Sequence, residues 1–166
     1  MSDRVSRNGY LWKDKYNHVF ESYCSLWNSS LNFIAENYGN DALDKYLTES
    51  MDEDVLGKST FSDLGAGADV ETFVKNYVGH HQMLGGSLKV VKAESDEIIV
   101  EIKRCGSKSM LVEKFGANNA RHYCRHCEVL PMWRQLGWCS EVEKSNAQKI
   151  DGENIGCRRL FKRIKK

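Results

Sequence analysis

The hydrophobic pattern changes period at Gly85-Gly86, and that switch constrains the fold more than any other feature of the chain. Before it, apolar residues recur at three- and four-residue steps, the spacing of a helix with one buried stripe. After it they alternate, the spacing of a half-buried strand. Tyr16, Val19, Phe20, Tyr23, Trp27, Leu31, Ile34 and Tyr38 predict one long helix over Lys13–Tyr38 with these side chains on its buried face. Gly39 ends it, and Asn40 caps a short helix carrying Leu43, Tyr46 and Leu47. Residues 49–67, acidic and then rich in Gly and Ser, read as a loop of the length used for lids. Asp69 caps a helix over Val70–Leu84 whose stripe includes His81 but not His80.

Ser87–Ala93 and Glu97–Arg104 then predict a hairpin, with Ile98, Val100 and Ile102 facing inward. Cys105-Gly106 breaks the second strand. Asn118 or Asn119 caps a helix over Ala120–Leu136, kinked at Pro131. Trp138–Lys144 and Asn154–Ile164 read as a second hairpin, with a turn at Asp151-Gly152. The expected fold is α+β: an antiparallel sheet of two hairpins with helices packed on one face. Its 166 residues suffice for a single domain, with a helical part over 10–85 and a sheet and Cys/His-rich part over 86–166.

No apolar run reaches the roughly 20 residues that span a bilayer, and Met1-Ser2-Asp3-Arg4 lacks a signal-peptide core. The expectation is a cytoplasmic protein that binds neither membrane nor nucleic acid, because a net charge of +1 supplies no general polyanion surface. Charge is uneven, however. Residues 1–104 hold 11 basic against 17 acidic side chains, and residues 105–166 hold 13 against 6. The basic half could attract an anion or form a solvated face. In particular, Arg158–Lys166 reads as a charged edge strand that discourages aggregation.

Chemistry concentrates between Cys105 and Cys139, where four of the six cysteines and two histidines fall. In a reducing compartment such cysteines point to metal or catalysis ahead of disulfides. The densest stretch is Arg121-His122-Tyr123-Cys124-Arg125-His126-Cys127-Glu128. On a helix, Cys124, Cys127 and Glu128 share one face, and His122 and His126 share another. One CxxC is a weak zinc signal, because compact sites supply a second CxxC or HxxxH. The missing ligands must come from elsewhere, with Cys105, His81 and Cys157 as candidates. Inward packing on a helix competes with this reading for Cys124 and Cys127, and a hydrogen-bonded core histidine competes for His81. Cys24 reads as a small core hydrophobe. Tyr123, Trp133 and Trp138 could line a pocket or belong to the core.

The C-terminal third carries Tyr123-Cys124 near a helix start, a helix ending in Leu136-Gly137, a strand with Cys139, then Asp151-Gly152-Glu153, Cys157 and Phe161. This pattern resembles the closing segment of 4-vinyl reductase-type domains. It is also similar to the L-2-amino-thiazoline-4-carboxylic acid hydrolase family, whose members end in a Gly-Asp/Glu-x-x-Cys-x-Phe element. The resemblance implies a ligand cavity between sheet and helices. The first group implies small apolar or tetrapyrrole-like ligands and a Cys/His-bound metal. The second implies hydrolysis of a cyclic amidine with a divalent metal.

The leading expectation is therefore a small metal-dependent hydrolase with a small-molecule substrate. Cys105, Cys124, Cys127 and His81 would hold a divalent ion and lower the pKa of its water. Glu128 or His126 would shuttle the proton, while Arg121 and Arg125 hold a substrate carboxylate beside Tyr123 and Trp133. Thiolates favour zinc over iron, and manganese less still. Two alternatives differ in class: a small-molecule-binding or sensor domain with a structural metal, and a metal-free cysteine enzyme. A homodimer is open to any of them.

Overall fold

The computed structural model describes residues 12–50, 69–125, 127, 137–143, 149–150 and 152–164. Among these residues four α-helices and six strands follow in chain order. Helix α1 spans Trp12–Tyr38, α2 Asn40–Ser50 and α3 Val70–Met83. Gly39, at φ +85°, makes the α1–α2 corner, a conformation an L side chain rarely adopts. Asp69 caps α3 by accepting the Thr72 N–H at 2.7 Å, as its sequence position predicts.

The buried face of α1 differs from the expected stripe. Cys24, Asn28 and Leu31 are buried, with Phe20, Trp27 and Ile34 partly so, whereas Tyr16, Val19, Tyr23 and Tyr38 are exposed. Apolar residues make up nearly half of this helix and spread around it, so periodicity alone does not select the face. The choice falls to what packs there. Leu31 meets Leu43 and Leu47 of α2, and Cys24 meets Leu111 and Val112.

Strands β1 (Ser87–Ala93) and β2 (Glu97–Arg104) form the expected hairpin. Strands β3 (Trp138–Glu143) and β6 (Cys157–Arg163) pair antiparallel as well, and the sheet order is β1-β2-β6-β3. A small separate hairpin, β4 (Lys149–Ile150) and β5 (Glu153–Asn154), precedes β6. The α+β class and the antiparallel sheet thus stand. Helix α3 lies on the sheet face carrying Ile98, Val100, Ile102 and Phe161, with Phe73 and Tyr77 as its buried rings. Among the described residues no helix is long and apolar enough to cross a membrane.

Two expectations about the C-terminal half are corrected. Strand β6 is central, hydrogen-bonded on both sides, and Arg159 on it is buried. It is not a solvated edge, because β3 returns to cover its far side. Helix α4 (Gly106–Phe115) begins directly after Cys105, where no helix is expected from sequence. Its first turn, Gly106-Ser107-Lys108-Ser109, is wholly buried and therefore has no amphipathic stripe to read. The expected helix start at Ala120 is instead a 3₁₀ turn over Ala117–Ala120, followed by turns through Cys124. The remainder of that predicted helix, from 128 to 136, lies outside the described residues.

Candidate functional site

Three segments bring four thiols into one space. Cys105 joins β2 to α4, and its N–H donates to the Ile155 carbonyl at 2.6 Å. That bond holds it beside the start of β6, where Cys157 pairs with Ile102 in register. Both sulfurs lie against the sheet core. Cys124 and Cys127 arrive on the turns after the 3₁₀ element, and the Cys127 N–H donates to the Cys124 carbonyl at 3.0 Å. The Cys127 carbonyl accepts from the Arg159 guanidinium, which ties this turn to β6. The group therefore sits at the seam between the sheet–α3 core and the α1–α4 core.

The charge of each thiol bears on the others' protonation. Burial pushes Cys105 up to about 12, and Cys127, Cys124 and Cys157 each add to the rise. Cys157 is also pushed up to about 12 by burial, opposed by Arg159 and reinforced by Cys127 and Cys124. Bare thiols here are thus protonated at neutral pH. The Lys108 N–H faces the Cys105 sulfur and favours its thiolate, without closing to a helix-capping hydrogen bond.

Two buried cations flank the thiols. Burial works against the Lys108 ammonium, but Cys124 and Glu153 hold its pKa above the ordinary value; the Glu153 carboxylate is 2.7 Å away. Arg159 is buried beside the Tyr77 hydroxyl, Cys127 and Cys157, which favour its charged form. Its guanidinium also lies 5.7 Å from the Phe161 ring centroid. Sequence reasoning missed both cations. Lys108 hides in a helix with no stripe, and Arg159 sits in a run of basic residues that looks solvated.

The remaining expected site residues fall as follows. His81 lies against Tyr77 in a tilted contact, ring centroids 4.6 Å apart and planes at 57°, one ring removed from the Arg159–Cys157 group. Arg121 pairs with Glu36 of α1, and Arg125 pairs with Asp44 of α2. Both arginines thus pin the cysteine-bearing turn to the helical hairpin. Tyr123 is buried beside Cys24, and Ser107 contacts both. His126, Glu128 and Trp133 lie outside the described residues.

Among the described residues, no three or more His, Cys, Asp or Glu side chains are already set at spacings that hold a metal ion. A shallow depression lined by Val70, Glu71, Val74, Lys75 and Ala93 lies at the β1–β2 turn, the opposite end of the hairpin from Cys105. Comparison of the chain with protein-family models, with curated proteins and with solved structures gave no match.

Proposed function

We propose that this chain is a small-molecule-binding or sensor domain built around a structural metal ion, zinc before iron, held by Cys105, Cys124, Cys127 and Cys157. What supports this reading is that Cys105 is tied to the start of β6 through the Ile155 carbonyl and the Cys124–Cys127 turn to β6 through Arg159, so that the four thiols and Lys108 act on one another's protonation. Four thiolates around a divalent ion leave a net charge of about −2, and the two cations offset it. The cysteines are not placed to hold an ion as they stand, so binding would require them to move. The metal would displace the protons that burial otherwise keeps on Cys105 and Cys157.

Four protein ligands leave no position for an activated water, which favours a structural role over the hydrolytic one. Occupation of Arg121 and Arg125 by Glu36 and Asp44 also weighs against their holding a substrate carboxylate. The high pKa values of Cys105 and Cys157 weigh against either as a metal-free nucleophile. A metal centre of reduced thiols would suit the cytoplasm.

Anaerobic purification followed by elemental analysis and cobalt(II) substitution tests the reading. The expected result is one ion per chain, with thiolate-to-cobalt absorption of the intensity that four sulfurs give. Three sulfurs with an exchangeable fourth position, together with turnover of a cyclic amidine, would restore the hydrolase. A metal-free chain that folds and binds ligands unchanged would remove both metal readings.

A further inference from the structure

Helix α1 carries a second apolar stripe that its own core does not use. Tyr16, Val19, Tyr23, Leu26 and Phe33 are between 42% and 70% exposed. Together with Ser30 and Asn37 they fall at positions 16, 19, 23, 26, 30, 33 and 37, an unbroken alternation of three- and four-residue steps. That is the seam of a two-helix coiled coil. Its apolar members form a contiguous exposed run of a kind monomeric proteins rarely leave in water.

Two polar members of the stripe are satisfied within the helix, and the Tyr16 hydroxyl at its end donates to the Met83 carbonyl of α3 at 3.2 Å. The Ser30 hydroxyl donates to the Leu26 carbonyl at 3.0 Å, and the Asn37 amide donates to the Phe33 carbonyl at 2.9 Å. Covering this face therefore strands neither donor, which removes the main cost of burying polar groups.

We infer that the outward stripe of α1 is a homodimer interface in which two copies of this helix pack antiparallel about a two-fold axis level with Cys24–Ser25. Size matching in this register identifies a second copy as the occupant. Tyr16 meets Phe33 of the other copy, Val19 meets the small Ser30, and Tyr23 meets Leu26; each contact occurs twice by symmetry. The same operation carries Ser22 toward Ser29 and Lys15 toward Glu36, whose carboxylate also pairs with Arg121 of its own chain and would be shared between the two cations. The interface would leave the thiol group, on the inner side of α1, untouched.

The test uses the full chain. Sedimentation at micromolar concentration should show a dimer. Leu26→Glu and Val19→Glu should each weaken association roughly 10²-fold or more, with unchanged circular dichroism, since both side chains are exposed within the monomer. A photo-crosslinking residue at position 23, in a mixture of light and heavy-isotope chains, should join light to heavy near Leu26. A monomeric wild type would overturn the inference, as would a Leu26→Glu variant that still dimerises. Crosslinks confined within one chain would assign the stripe to another segment of the same molecule and overturn it equally.

Discussion

In the proposed metal centre Cys157 and His81 compete for the last ligand position, and the side chains around each favour Cys157. Cys157 shares its space with Cys124, Cys127 and Arg159, while His81 is engaged by the Tyr77 ring. Cys157→Ser should therefore lower metal occupancy several-fold, a hydroxyl being a poor soft-metal ligand, and His81→Ala should retain it. Elemental analysis of the two purified variants checks this; metal loss in His81→Ala alone would return the histidine to the ligand set. Cys24 is 1% exposed and lies against Ser107 and Tyr123, on the α1 side of the group. Cys24→Ala should cost about 1 kcal/mol in denaturant unfolding through the small cavity it leaves, with metal content unchanged.

At the scale of elements, the position of Cys105 depends on a backbone contact that only glycine permits. A Cβ on Gly106 would lie 1.8 Å from the Leu84 carbonyl oxygen and 2.9 Å from the Gly85 carbonyl carbon. A Cβ on Gly86 would lie 2.8 Å from the His81 carbonyl oxygen and 3.0 Å from that of Arg104. The turn after α3 therefore presses directly on the β2–α4 junction. Gly106→Ala must push these backbones apart, which should cost about 1–3 kcal/mol and displace Cys105 from the other thiols. Lower unfolding stability with reduced cobalt absorption is the expected outcome. Normal stability and a normal spectrum would show that the junction yields without moving the sulfur. The two arginine pairs on the following turn act on the same placement. Because Arg125 depresses the Asp44 pKa, acid that protonates this carboxylate loosens the turn from α2.

For the whole molecule, the buried thiols give opposite pH responses with and without metal. The folded pKa of Cys105 and Cys157, about 12, lies above the ordinary thiol value of 9.0. In the metal-free protein the unfolded chain therefore loses these protons first. Their stabilising contribution is complete below about pH 8.5 and declines as pH rises toward the folded values. A metal-loaded centre already holds thiolates and releases protons on binding, so stabilisation by the metal should grow with pH through the neutral range. Thermal unfolding of both forms across neutral and alkaline pH reads the two slopes. Parallel curves would argue against thiolate ligation, and a flat metal-free curve would argue against burial of the thiols.

Local patterning in the sequence was enough to place α2, α3, the β1–β2 hairpin and the β3–β6 pair, because each announces itself within a short window. Asp69, Gly39 and the alternation of Ile98, Val100 and Ile102 act through neighbours in the chain, so their effects are legible one segment at a time. The buried character of Cys24 was legible too. Which face of α1 turns inward was not, because two apolar stripes compete there and only contact with α2 and α4 chooses between them. Helix α4 was hidden because its first turn is buried all round, and the roles of Lys108 and Arg159 because charge in a sequence carries no depth. Tertiary structure alone decided that Cys157 feels the charge of Cys124 and Cys127. Its placement near Cys105 comes from β-sheet register and from a single hydrogen bond between Cys105 and Ile155, contacts between residues far apart in the chain.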